Sequence, residues 1–220
     1  MECVLCPREC GADREQGKLG FCGETAALRV SRAALHMWEE PCISGKEGSG
    51  TVFFTGCTLR CVYCQNHVIA TGKVGKLISI ERLAEIFLEL QDAKANNINL
   101  VTPTHYIPQI IKALELSKNQ GMNLPVVYNS GGYEKAEALK LLDGLVDVYL
   151  PDMKYMSPGL AGKYSKAQDY PAAAMAALAE MFRQVGTPVF EVEKPDDNTA
   201  TDEAGLIMKR GMIVRHLVLP

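Results

Sequence analysis

TVFFTGCTLRCVYCQN, residues 51–66, sets a short apolar run directly before three cysteines, Cys57, Cys61 and Cys64. The run reads as a buried strand and the cysteines as the loop that follows it. Thiolates are the usual protein ligands of iron–sulfur clusters, and a closed, electron-carrying cubane takes four of them. Three ligands leave one iron open for chemistry. A structural zinc also wants four ligands, usually as paired knuckles, and thiols at intervals of four and three fit it poorly. His67, the available fourth ligand, stands only three residues past Cys64.

Downstream, short apolar runs alternate with amphipathic stretches: SIERLAEIFLELQDA after the cysteine loop, INLVT then HYIPQIIKALELSKNQ, PVVYN then YEKAEALKLLDG, VDVYLP then AAAMAALAEMFRQ. Leu83, Ile86, Phe87 and Leu90 recur at helical spacing, and Ser79 with Glu81 and Arg82 makes a helix start. Four strand–helix units in series predict a parallel sheet, because crossover helices are what allow parallel neighbours. A fifth apolar run, MIVRHLVLP, closes the chain. Before it, TPVFEVEKPDDNTATDEAGLIMKRG reads as a hairpin or loop excursion from its Pro, Asp and Gly content. Residues 1–50 are rich in Cys, Gly and charge with little periodicity, and read as a loop-rich, metal-binding appendage to an α/β domain over 51–220.

A chain of 220 residues, 47% hydrophobic, can bury one sizeable core. Its net charge of -3 gives no basic footprint for nucleic acid. No run reaches membrane-spanning length and MECVLCPREC is no signal peptide, so a soluble, cytoplasmic protein is expected. The tight spacing of the eight cysteines favours metal over disulfides.

GCTLRCVYCQN resembles the signature of the radical S-adenosylmethionine (SAM) superfamily. Tyr63, Asn66 and Arg60 match the version in pyruvate formate-lyase activating enzymes, which act on glycyl radical enzymes. The resemblance implies a [4Fe-4S] cluster on Cys57, Cys61 and Cys64, with SAM chelating the open iron and being reductively cleaved to a hydrogen-abstracting radical. It also implies a six-stranded partial β/α barrel. Only five strands are counted here, so a C-terminally truncated barrel is expected. An electron donor such as flavodoxin or ferredoxin and a protein substrate are the implied partners, with no nucleic acid or membrane. Radical SAM modification of a small molecule, peptide or RNA is the alternative, and a zinc-binding interaction module a third.

Active sites of parallel β/α barrels form at the carboxyl ends of the strands. The residues there are the cysteine loop, Thr102 and Thr104 with His105, Asn129, Asp152 and Lys154, and Arg215 beside His216. A Gly-Gly-Glu motif that holds the SAM amino group in many relatives is absent, so backbone carbonyls with Thr102 or Thr104 are expected to serve. Asp152-x-Lys154 resembles the strand-four Asp-x-Lys of activating enzymes, with both side chains on one face. Arg215 is suited to pair with a carboxylate; His216 should point the other way. Cys3, Cys6, Cys10 and Cys22 form a second candidate site, zinc or iron–sulfur. Their Cys-Pro-Arg-x-Cys-Gly pattern, EEPCISG and VRHLVLP resemble a group of activating-enzyme-like proteins. Cys42 reads as a packed thiol.

Overall fold

The computed structural model describes residues 2–72, 74–192, 205–216 and 218. Its elements are β1 (Arg29–His36), α1 (Pro41–Ser44), β2 (Ser49–Phe54), α2 (His67–Ala70), β3 (Lys76–Leu77), α3 (Ile80–Asp92), β4 (Ile98–Val101), α4 (Ile107–Asn119), β5 (Val126–Ser130), α5 (Ala136–Lys140), β6 (Val148–Pro151), α6 (Pro158–Ser165), α7 (Tyr170–Val185), β7 (Val189–Val192) and β8 (Leu206–Met212). The strands form one sheet in the order β3-β1-β2-β4-β5-β6-β8-β7. Its central strands β2, β4, β5, β6 and β8 pair in parallel, as the strand–helix alternation predicts. This is the mixed α/β architecture of a partial barrel.

Alternation along each strand separates two apolar layers. Val52, Ile98, Leu100, Val126, Tyr128 and Tyr149 face outward into the main core. The helices cover that side, α3 with Leu83, Phe87 and Leu90 and α4 with Ile110 and Leu114. Ser79 caps α3 as expected, its hydroxyl accepting the Arg82 N–H at 3.1 Å. The intervening strand residues Val127, Val148 and Leu150 face the other way and pack on Ile43 of α1. A four-residue helix thus plugs the concave side, with Cys42 packed beside it.

The structure corrects the sequence reading at two places. The first 50 residues are not loops throughout, since β1 pairs antiparallel with β2 along six residues of register. Its burial does not alternate cleanly and much of it is exposed, so it carries no strong strand pattern. The last strand also begins earlier than MIVRHLVLP: β8 starts at Leu206 and pairs with β6 only at Gly211 and Met212, with an isolated bridge from Arg215 to Asp152 beyond. The excursion expected over 187–211 is a β7–β8 hairpin at its two ends; residues 193–204 lie outside the described residues. Among the described residues no helix is long and apolar enough to cross a membrane, and all eight cysteines are free.

Candidate active site

The cysteine loop leaves β2 through Gly56, whose φ of 82° suits only glycine and whose missing side chain lets the chain lie against Cys22 and Glu24. Cys57 donates its N–H to the Cys22 carbonyl at 3.1 Å. Its sulfur accepts the Leu59 N–H at 3.4 Å. Burial pushes the Cys57 thiol up to about 11; the Arg60 and Leu59 amides oppose the rise, and Cys61 and Cys64 add to it. Burial also raises Cys64, against the Asn66 amide and the nearby Lys154 ammonium. Cys61 takes a hydrogen bond from the Ser165 hydroxyl at 2.9 Å, and Ser165 joins a chain of hydroxyls through Tyr155 to Tyr63, each link 2.7 Å.

Asp152 and Lys154 follow β6 beside this loop. Their side chains form an ion pair at 2.7 Å, with both groups mostly enclosed. Burial works against the Lys154 charge, but Asp152 more than offsets it, with Cys61 and Cys57 contributing, and its pKa is raised. Gly131 brings the loop close: a Cβ there would sit 2.8 Å from Leu59 Cδ1 and 3.6 Å from Lys154 Cε. The Tyr170 hydroxyl fastens the loops after β5 and β6, accepting the Lys154 N–H at 2.8 Å and facing the Asp152 and Gly131 carbonyls at 2.8 and 2.9 Å.

Arg215 does face the site and does pair with carboxylates, but they are the chain's own. It donates to Glu39 Oε1 at 3.0 Å and to Asn129 Oδ1 at 2.7 Å. Its Nε lies 3.0 Å from Asp152 Oδ1 as an ion-pair contact without an aligned hydrogen bond. Glu39, just ahead of the α1 plug, accepts from Asn99 and Asn129 through its other oxygen, at 3.1 and 3.0 Å. Asn129 therefore joins the network with Arg215. His216 sets its Nδ1 on the Met153 carbonyl.

The residues after β4 divide. Thr102 turns the chain out of β4 at φ 58°, a strained value for a β-branched residue and of the kind found at functional sites. Thr104 is committed elsewhere, donating to Glu134 Oε1 at 2.8 Å. That carboxyl is pushed up to about 7 by burial, against hydrogen bonds from Thr104, Ser130 and Tyr128. His105 is buried, with Nε2 on the Thr55 carbonyl at 2.7 Å and Nδ1 without a partner. Burial and then Arg14 hold it down to about 3, so it is a neutral structural histidine. Arg60 reaches outward to the Thr71 carbonyl at 3.2 Å, and Asn66 and His67 are exposed at the start of α2.

Glu39, Ser165, Tyr170 and Arg8 were not singled out from the sequence. Arg8 clamps the cysteine loop, with Nε on the Thr58 carbonyl at 2.8 Å and Nη2 on the Ser165 carbonyl at 2.7 Å. These contacts cross 10 to 176 residues of sequence and carry no local pattern. The only hints were the placement of Arg8 between two cysteines and of Glu39 in EEPCISG.

Three thiols in one loop, all of them near Lys154, make a soft donor set that fits an iron–sulfur cluster with one open position. Among the described residues no three His, Cys, Asp or Glu side chains converge on a single-ion site; cluster ligands each take a different iron and need no such convergence. The fold and the donor set together define a partial β/α-barrel protein with a three-thiol loop, of the kind that suits an iron–sulfur cluster, at the strand ends. Residues 51–193 match the Radical SAM superfamily, and the chain belongs to it. Members of this family carry a [4Fe-4S] cluster and cleave SAM reductively. The chain is also 31% identical over 99% of its length to an uncharacterized protein of Methanocaldococcus jannaschii, and spans 57% of that protein.

Proposed function

We propose that the chain is a radical SAM enzyme of the activating-enzyme type, abstracting hydrogen from a glycine of a partner polypeptide in a reducing, cytoplasmic setting with flavodoxin or ferredoxin as electron donor. The observation that carries this reading is the Asp152–Lys154 pair beside Cys57, Cys61 and Cys64. When bound, the cluster with SAM supplies the electron and the hydrogen-abstracting power.

The chain's own residues do the rest. Cys57, Cys61 and Cys64 hold the cluster, with the Leu59 amide and the Ser165 hydroxyl on two of the sulfurs. Such hydrogen bonds tune cluster potential. Lys154, charged at neutral pH, is placed to meet the SAM carboxylate, and Asp152 orients it. Arg215, engaged by Glu39, Asn129 and Asp152, serves to hold Asp152 in place. Tyr63 lies at the loop beside Tyr155 and Tyr164 as an aromatic wall. The Thr102 turn offers backbone groups at the place where a Gly-Gly-Glu motif is lacking.

The test is anaerobic incubation with SAM, reductant and a glycyl radical enzyme. The expected result is 5′-deoxyadenosine together with a glycyl radical signal on the partner. Deoxyadenosine without that signal moves the substrate to a small molecule, another peptide or RNA.

A further inference from the structure

Four cysteines stand outside the site above and outside the apolar plug. Cys6 and Cys22 are buried, Cys3 is half-buried and Cys10 is exposed. Local backbone bonds gather them: Cys3 N–H to the Ala12 carbonyl at 3.1 Å, Gly11 N–H to the Cys3 carbonyl at 3.2 Å, and Glu9 N–H to the Cys6 carbonyl at 3.1 Å. Gly20 leaves room between sulfurs, since a Cβ there would sit 3.2 Å from Cys22 Sγ and 3.5 Å from Cys10 Sγ. The buried Arg14 guanidinium lies 3.9 Å from Cys3 Sγ and is anchored to the His105 carbonyl at 2.6 Å. Four clustered cysteines are the donor type that soft metals take, and the fixed Arg14 cation lies against one of them.

We propose that Cys3, Cys6, Cys10 and Cys22 hold a second, four-thiolate metal centre that braces the loop bearing Cys57, Cys61 and Cys64. Two connections carry the bracing. Cys22 accepts the Cys57 N–H directly. Arg8, between Cys6 and Cys10, bonds the carbonyls of Thr58 and Ser165, and the Ser165 hydroxyl is the group on Cys61. Its guanidinium also lies over the Phe21 ring, 3.9 Å from the centroid, next to Cys22. Fixing the four thiols on a metal therefore fixes the loop at Cys57 and Thr58 and, through Ser165, at Cys61. The thiols are near one another without converging on one point, so binding closes the module as the ligands lose their protons. A zinc ion and an iron–sulfur cluster share this ligand chemistry. The metal site itself does not depend on the radical SAM reading; the meaning of the brace does.

The test begins with a Cys57→Ala, Cys61→Ala, Cys64→Ala variant purified without oxygen, so that only the front site can load. The expected content is about one zinc per chain, or about four irons with equal sulfide. It should vanish when Cys3→Ser and Cys10→Ser are added, changes at the two less buried positions. Amide hydrogen exchange at residues 57–59 should then quicken about tenfold between the two variants. A metal-free triple variant, or metal that survives the added serines, overturns the site. Unchanged exchange after metal loss overturns the brace. Failure of the radical SAM reading shows separately, as equal metal content in the wild type and the triple variant.

Discussion

Lys154 is the residue whose placement says most about the chemistry. Its ammonium is enclosed, tied to Asp152 and set beside the cysteine loop, and an anionic ligand such as a carboxylate is what this arrangement suits. Lys154→Ala should leave iron content unchanged and lower SAM cleavage about tenfold or more. Equal rates at matched iron content would remove Lys154 from the site. His105 makes a different kind of prediction, about stability. Its folded form resists the proton down to about pH 3, whereas the unfolded chain takes it near the ordinary value of 6.5. The stabilisation is therefore complete above that ordinary value and is lost as pH falls toward the folded one, by about 1.4 kcal/mol per unit. Denaturant melts of wild type and His105→Gln should show their stability difference shrinking over that window. A constant difference would mean that His105 titrates normally.

At the scale of elements, the concave side depends on α1. Ile43 is buried against Val127, Val148, Leu150 and Met208, and Ile43→Ala should cost about 3 kcal/mol by chemical denaturation. A loss under about 1 kcal/mol would show that the plug packs loosely. Gly132 is the tightest backbone approach in the site: at φ 75° a Cβ would press on the Asp152 carbonyl. Gly132→Ala should displace Asp152, lowering SAM cleavage more than it lowers iron loading; parallel losses of both would point to general unfolding. β2, β4, β5 and β6 were legible as short apolar runs, and α3, α4 and α7 because each buries a periodic apolar face. The sequence did not announce α1, since four residues are too few for a helical period. It did not announce β1 either, because a half-exposed strand whose burial does not alternate cleanly has no distinguishing run. The cysteine loop was read from its spacing, and Asp152–Lys154 from a resemblance together with their shared face on a strand. Glu39 and Ser165 were not, because their roles arise only when distant segments meet.

Across the whole molecule, the N-terminal 50 residues are built into the barrel and its site. β1 extends the sheet, α1 fills the concave side, Glu39 completes the Arg215 network and Arg8 grips the cysteine loop. The cysteine loop is therefore supported from the front module through Arg8 and from α6 through Ser165, with Lys154, just past β6, beside it. The central claim is that Cys57, Cys61 and Cys64 together hold a cluster that cleaves SAM. It is tested most directly by measuring 5′-deoxyadenosine formed by wild type and Cys61→Ala after anaerobic reconstitution with iron and sulfide, in the presence of reductant. The account predicts product from the wild type and none above background from the variant; full SAM turnover by Cys61→Ala would contradict it.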